Sequence, residues 1–123
     1  MNNLNSILIE GNIVRDVEVR STPKGTSTCT FTIATNRFFK QETGMEKEVS
    51  YFKVETWAKL AEIAGNSGQK GRAVKVVGRL RQDRWQGTDG KPQSKVIIVA
   101  DHLEFKPIRK EAPTEIDAAV SSF

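Results

Sequence analysis

Little in this sequence invites covalent chemistry. One cysteine, Cys29, and one histidine, His102, stand among 123 residues. A single thiol has no internal partner for a disulfide, so a reducing cytoplasm is the default expectation. A metal centre needs a cluster of ligands, and a catalytic triad needs a base beside its nucleophile. Neither lone residue has such company, so both read as structural. No catalytic residue, metal or cofactor is expected. Gly65, Gly68 and Gly71 have the spacing of a phosphate loop but lack its strand-to-helix setting and its Gly-Lys-Ser/Thr ending. They read instead as a loop that stops a helix. No apolar run approaches the ~20 residues of a spanning helix, and the opening MNNLNSILIEG has no basic leader region. Neither a membrane span nor a signal peptide is expected. Internal repeats and low-complexity segments are absent as well.

What is present is a soluble-domain composition, with 37% hydrophobic and 28% charged residues in a chain long enough for one core. Its charge is uneven. Between positions 70 and 95 stand Lys70, Arg72, Lys75, Arg79, Arg81, Arg84, Lys91 and Lys95 against Asp83 and Asp89, while the whole chain is only +4. The same stretch alternates. Val74, Val76, Gly78 and Leu80 fall on one parity, and Lys75, Val77, Arg79, Arg81 and Trp85 on the other. In a strand these are opposite faces, so one face is expected to be apolar and the other cationic with an aromatic at its end. A local basic stripe with an aromatic points to a polyanion that also offers something flat.

Taken in order, residues 4–14 read as a first strand kinked or bulged at Gly11. Residues 17–20 form a short strand, and Thr22, Pro23, Lys24 and Gly25 make a turn. TCTFTIAT at 28–35 places Cys29, Phe31 and Ile33 on one face, with Thr30 and Thr32 on the other. Residues 36–49 are polar around Thr43 and Gly44 and read as a hairpin loop with Phe38 and Phe39 at its entrance. In the strand 49–57, Phe52 and Val54 share the face meant for the core. Tyr51, Lys53 and Trp57 then point outward. Residues 58–64 have helical spacing and are stopped by Gly65 and Gly68. Asp89-Gly90 turns the basic strand into a returning one at 94–103. The returning strand is apolar on both parities, which predicts cover by a helix or a partner chain. From Lys106 the text loses periodicity and reads as a flexible tail. Five main strands with one helix before the fourth match an all-β, five-stranded Greek-key barrel, the OB-fold.

Outside the core pattern lie Phe38, Phe39, Tyr51, Trp57 and Trp85, with Lys53, Lys75, Arg79, Arg81, Arg84, Lys91 and Lys95. Cations track phosphates while aromatic planes stack on unpaired bases, so this combination fits single-stranded nucleic acid. A duplex hides its base faces and gives aromatics little to do. The residues also leave open a structural protein whose outward aromatics form subunit interfaces.

Over residues 4–105 the chain resembles the bacterial-type single-stranded DNA-binding proteins. The resemblance lies in LNSILIEGNIVRDVEVRSTPKGT, FTIAT, ETGMEKEVSYFKVETWAKLAE and KGRAVKVVGRLRQDRWQGTDGKPQSKVIIVADHLEF. It implies an OB-fold domain at 1–106 and a tail at 107–123. It further implies homotetramer assembly and sequence-independent coating of single-stranded DNA in replication, recombination and repair, within the cytoplasm at the nucleoid. The family's stacking aromatics fall on Phe38 or Phe39, Tyr51, Trp57 and Trp85, and Phe52 resembles a position near subunit contacts. The family's tail ends in an acidic run, an apolar residue, Pro and Phe, and docks replication and repair proteins. Here Phe123 is in place for that docking, Pro is missing and the acids lie upstream. A primosome accessory protein or an RNA binder of the same fold would read similarly.

Overall fold

The computed structural model describes residues 1–107 of the chain. They form β1 (Ile7–Ile13), β2 (Val19–Ser21), β3 (Ser27–Gln41), β4 (Gly44–Trp57), α1 (Lys59–Ser67), β5 (Ala73–Gln86) and β6 (Pro92–Phe105). The strands run β1-β5-β6-β4-β3-β2 across the sheet, and a pairing of β1 with β3 closes it. The closed ring therefore holds β1, β3, β4, β6 and β5, with three-residue β2 appended to the side of β3. β4 and β6 meet in parallel, Val54 beside Ile98 and Glu55 beside Val99, while the other pairs are antiparallel. This is the expected five-stranded Greek-key barrel, the OB-fold.

Alternation builds the core. Cys29, Phe31 and Ile33 line the inner face of β3, opposite Thr56, Val54 and Phe52 of β4, of which Phe52, expected in the core, is 38% exposed. Ile13, Val74, Val76, Ile98, Ala100 and Leu103 complete the cluster, and Ala61 and Ala64 of α1 pack against it. Each large aliphatic so buried contributes roughly 1.5–3 kcal/mol. Thr56 is buried with them, and its hydroxyl donates to the Cys29 carbonyl at 2.8 Å, which offsets its desolvation.

Four local expectations are revised. Residues 36–49 are not a loop: β3 runs on to Gln41 and β4 starts at Gly44, so only Glu42 and Thr43 turn the chain. Polar side chains on both faces mimic a loop in the sequence, but this ribbon stands clear of the barrel and both faces meet water. Gly65 does not stop α1, which continues to Ser67 and ends at Gly68. Gly65 serves close packing instead, since a Cβ there would lie 2.2 Å from Val19 Cγ2. Gly11 has a similar reason. A Cβ would sit 2.7 Å from the Ala34 carbonyl oxygen, where β1 crosses onto β3. Leu80, finally, is 45% exposed rather than core. Beyond it the β5–β6 hairpin leaves the barrel, and Asn5 caps the departure by donating to the Leu80 carbonyl and accepting from its N–H.

Candidate nucleic-acid interface

Residues directly opposite each other in an antiparallel pair share a face, so register shows which side chains meet. Along β4 the outward row is Tyr51, Lys53, Glu55 and Trp57, beside Ala34, Thr32, Thr30 and Thr28 of β3. Phe38 lies on that same face further out, opposite Lys47. On the other flank Arg79, Arg81, Asp83 and Trp85 of β5 stand opposite Val99, Ile97, Lys95 and Gln93 of β6. Since Glu55 is beside Val99, these rows form one continuous outer wall. Phe38, Tyr51, Trp57 and Trp85 are 44%, 64%, 41% and 47% exposed, so the barrel does not use them as core. Lys95 Nζ sits 5.8 Å from the Trp85 ring centroid, leaving a cation beside a stacking plane.

Four of the expected site residues lie elsewhere. Phe39 points to the opposite face of the ribbon, half-buried under the Arg37 guanidinium at 4.6 Å, in a row with Glu46 and Glu48. Phe38 shares its face with Lys40 and Lys47 and with no acid of the ribbon, so the two adjacent phenylalanines face opposite charge. Arg84 is on the opposite parity from Trp85 and donates to Gln82 at 2.8 Å. Lys91 lies in the hairpin turn, its backbone N–H held by Asp89. Lys75 has the outward parity but stands between Glu10 and Glu104, about 20 Å along the strand from Arg81. Phe123 lies outside the described residues.

The remaining cations divide into two kinds. Lys53 forms no salt bridge among the described residues, and neither does Lys95. Arg79 pairs with Asp101 at 3.4 Å, and Asp101 is the extra residue of a bulge that sets Gly78 against Ala100 and Val77 against His102. Arg81 is held far more tightly. Its NH1 donates to Glu55 Oε2 at 2.6 Å, its NH2 to Glu55 Oε1 at 3.2 Å, and its Nε to Asp83 Oδ1 at 2.8 Å. Burial pushes the Glu55 carboxyl up, but hydrogen bonds from Arg81 and Trp57 outweigh it and hold the group below its usual range. The Arg81 hydrogen bonds likewise hold Asp83 low, and the two carboxylates raise the guanidinium above its ordinary value.

This ion pair also answers the double-sided apolarity of β6. Ile97 and Val99 are buried on the outer wall. Arg81 stands opposite Ile97 and Glu55 opposite Val99, so the bridge between β5 and β4 spans the row they occupy. The sequence alone does not pair Glu55 and Asp83 with a cation. Their shared parity with Trp57 and Arg81 was the available signal. Thr30 and Thr32, hydroxyls on the same wall, were likewise placed by alternation but given no role.

A closed five-stranded barrel with an outer wall of unburied aromatics between cations defines an OB-fold protein with a mixed aromatic and cationic face. The model of the single-strand binding protein family matches residues 4–106. A single-stranded DNA-binding protein of Helicobacter hepaticus is 34% identical over 113 residues, 89% of this chain and 66% of that protein. Single-stranded DNA-binding protein 3 of Listeria innocua is 36% identical over 102 residues, 83% of this chain and 63% of that protein. The chain thus spans just under two thirds of the length of these relatives. Among solved structures, a Plasmodium falciparum SSB complex with ssDNA superposes with a TM-score of 0.78 at 22% identity, over 87% of this chain and 98% of that one. A deletion mutant of the single-stranded DNA binding protein from Thermus aquaticus gives 0.75 at 26% identity, over 86% of this chain and 52% of that one. The chain belongs to the single-strand binding protein family.

Proposed function

We propose that this protein binds single-stranded DNA without sequence preference and without catalysis, coating strands exposed during replication, recombination and repair. One observation carries the reading: Phe38, Tyr51, Trp57 and Trp85 stand unburied on a single wall together with Lys53 and Lys95. Bases stack on the four rings at about 1–3 kcal/mol each, and the lysines neutralise phosphates. Arg84 and Lys91, on the β5–β6 arm, meet the strand as it leaves Trp85. Arg79 and Lys75 steer it through the field they add to the wall. Phe39 supports the ribbon from behind. The names of the relatives, single-stranded DNA-binding proteins, favour DNA over RNA as the ligand.

In this reading residues 1–106 form the binding domain and 107–123 a tail whose Phe123 docks replication and repair proteins. The domain assembles as a homotetramer, with Leu8, 69% exposed on β1, in a subunit contact. The protein works in the cytoplasm at the nucleoid. None of the helices is long and apolar enough to cross a membrane among the described residues.

Titrating intrinsic tryptophan fluorescence with oligo-dT, oligo-U and a duplex tests the proposal. Strong quenching by oligo-dT and weak response to the others is expected. No change with oligo-dT at low salt would overturn it, and equal affinity for oligo-U would make the ligand RNA as much as DNA. Light scattering then reads the oligomer directly.

A further inference from the structure

Two carboxylates sit in the middle of a wall that, on the reading above, receives a polyanion. Electrostatics alone opposes them. Glu55 and Trp57 are two residues apart on one strand and so point the same way. Glu55 Oε2 accepts from the Trp57 indole Nε1–H at 3.0 Å and from Arg81 at 2.6 Å, joining the ring to the guanidinium through one atom. Asp83 grips the other edge of Arg81 through Nε at 2.8 Å and NH2 at 3.2 Å. The two acids thereby occupy four of the five guanidinium N–H groups. The chain of contacts spans β4 to β5 across β6, anchored in strands at both ends.

We propose that Glu55 and Arg81 are positioning residues for Trp57: they fix its indole plane before the strand arrives, and Arg81 serves as a brace rather than a phosphate ligand. The inference rests on the single-strand-binding reading for its consequence but not for its geometry. A side chain held in its bound orientation loses less rotamer freedom on stacking, so the carboxylate strengthens binding although its charge repels the ligand. The two influences have opposite signs and different salt dependence, which makes them separable.

The experiment measures affinity for labelled oligo-dT as a function of salt, with the indole N–H resonances of the unliganded protein recorded alongside and assigned through Trp57→Phe. In wild type the Trp57 Nε1–H is expected to exchange slowly with solvent. Glu55→Ala is expected to release it, to weaken binding roughly fivefold at 1 M salt, and to steepen the salt slope by about 0.7 as Arg81, still held by Asp83 on one edge, meets a phosphate with the other. Glu55→Gln keeps an acceptor for the indole and is expected to restore the high-salt affinity while keeping the steeper slope. In a Trp57→Ala background, Glu55→Ala should cause no further loss at high salt. Glu55→Ala binding as tightly as wild type, or tighter, at every salt overturns the proposal. So does a Gln variant as weak as the Ala variant, or a fast-exchanging Trp57 indole in wild type. Should wild type fail to bind oligo-dT at low salt, the functional reading fails instead, and the indole resonance still tests the brace.

Discussion

Ala58 joins Trp57, the last residue of β4, to the helix that closes the barrel, and it does so at φ +56° and ψ −126°. Among the described non-glycine residues it has the only positive φ. That region is crowded for a residue with a Cβ and costs of order 1–3 kcal/mol. Ala58→Gly removes the strain. It also loosens the unfolded chain, which costs about 0.4–1 kcal/mol. Ala58 is exposed, so losing its methyl forfeits no buried contact. Its backbone bonds, an N–H donated to the Ser27 carbonyl at 2.8 Å and a carbonyl accepting from Ala61 and Glu62, are available to glycine unchanged. The net expectation is a gain of about 1 kcal/mol. In urea, with m about 2 kcal/mol/M, the midpoint should rise by about 0.5 M at constant slope. Tm should rise by about 4–8 °C. Protein concentration must be fixed across the comparison, because assembly shifts apparent stability. An unchanged or lower midpoint would refute the strain argument and show that the turn accommodates alanine without cost.

Other outcomes follow from the same geometry. Trp85→Ala should weaken oligo-dT binding about tenfold or more with the salt slope unchanged, read by anisotropy at several ionic strengths. Lys53→Ala should instead flatten that slope by about 0.7. Gly78→Ala sets a Cβ 2.1 Å from the Val99 carbonyl oxygen at the bulge, where only backbone can move, so a loss of at least ~2 kcal/mol is expected in urea unfolding. Acid should erode the brace. Glu55 and Asp83 have depressed folded pKa values, so their contribution to stability is full above the ordinary carboxylate range of about 4 and fades as pH falls through the lower folded values. The stability difference between wild type and Arg81→Met should therefore shrink between pH 6 and pH 3; a constant difference would contradict the assignment.

Strands with a strict apolar alternation were legible because one face of each is truly buried. β3 from Cys29 to Ile33 and β5 from Val74 to Gly78 read out their inner faces without help from structure. The barrel order followed from counting such strands around one helix. What alternation could not do was say where a strand stops being barrel. Residues 36–49 and 81–96 continue the pairing as two-stranded arms, and there both faces meet water, so hydrophobicity carries no period. The same loss explains Leu80, which keeps the parity of Val76 but lies past the last neighbour that could cover it. Glycines misled for a related reason. In sequence Gly65 resembles a helix stop, and only the approach of Val19 shows that it is a packing site.

The wall itself was half legible. Parity placed Tyr51, Lys53, Trp57, Arg79, Arg81 and Trp85 outward, but it treated every cation as equivalent. Structure separates them by what they already hold. Arg81 has two carboxylates in contact before any ligand arrives, and a phosphate must displace one of them to gain it. Lys53 has none to displace among the described residues. Net charge over a window therefore overstates the cations free to release counterions, and the salt slope, which counts phosphates neutralised, should fall short of the number of basic residues on the wall. The difference between those two numbers counts the cations already held by carboxylates such as Asp101, Glu55 and Asp83.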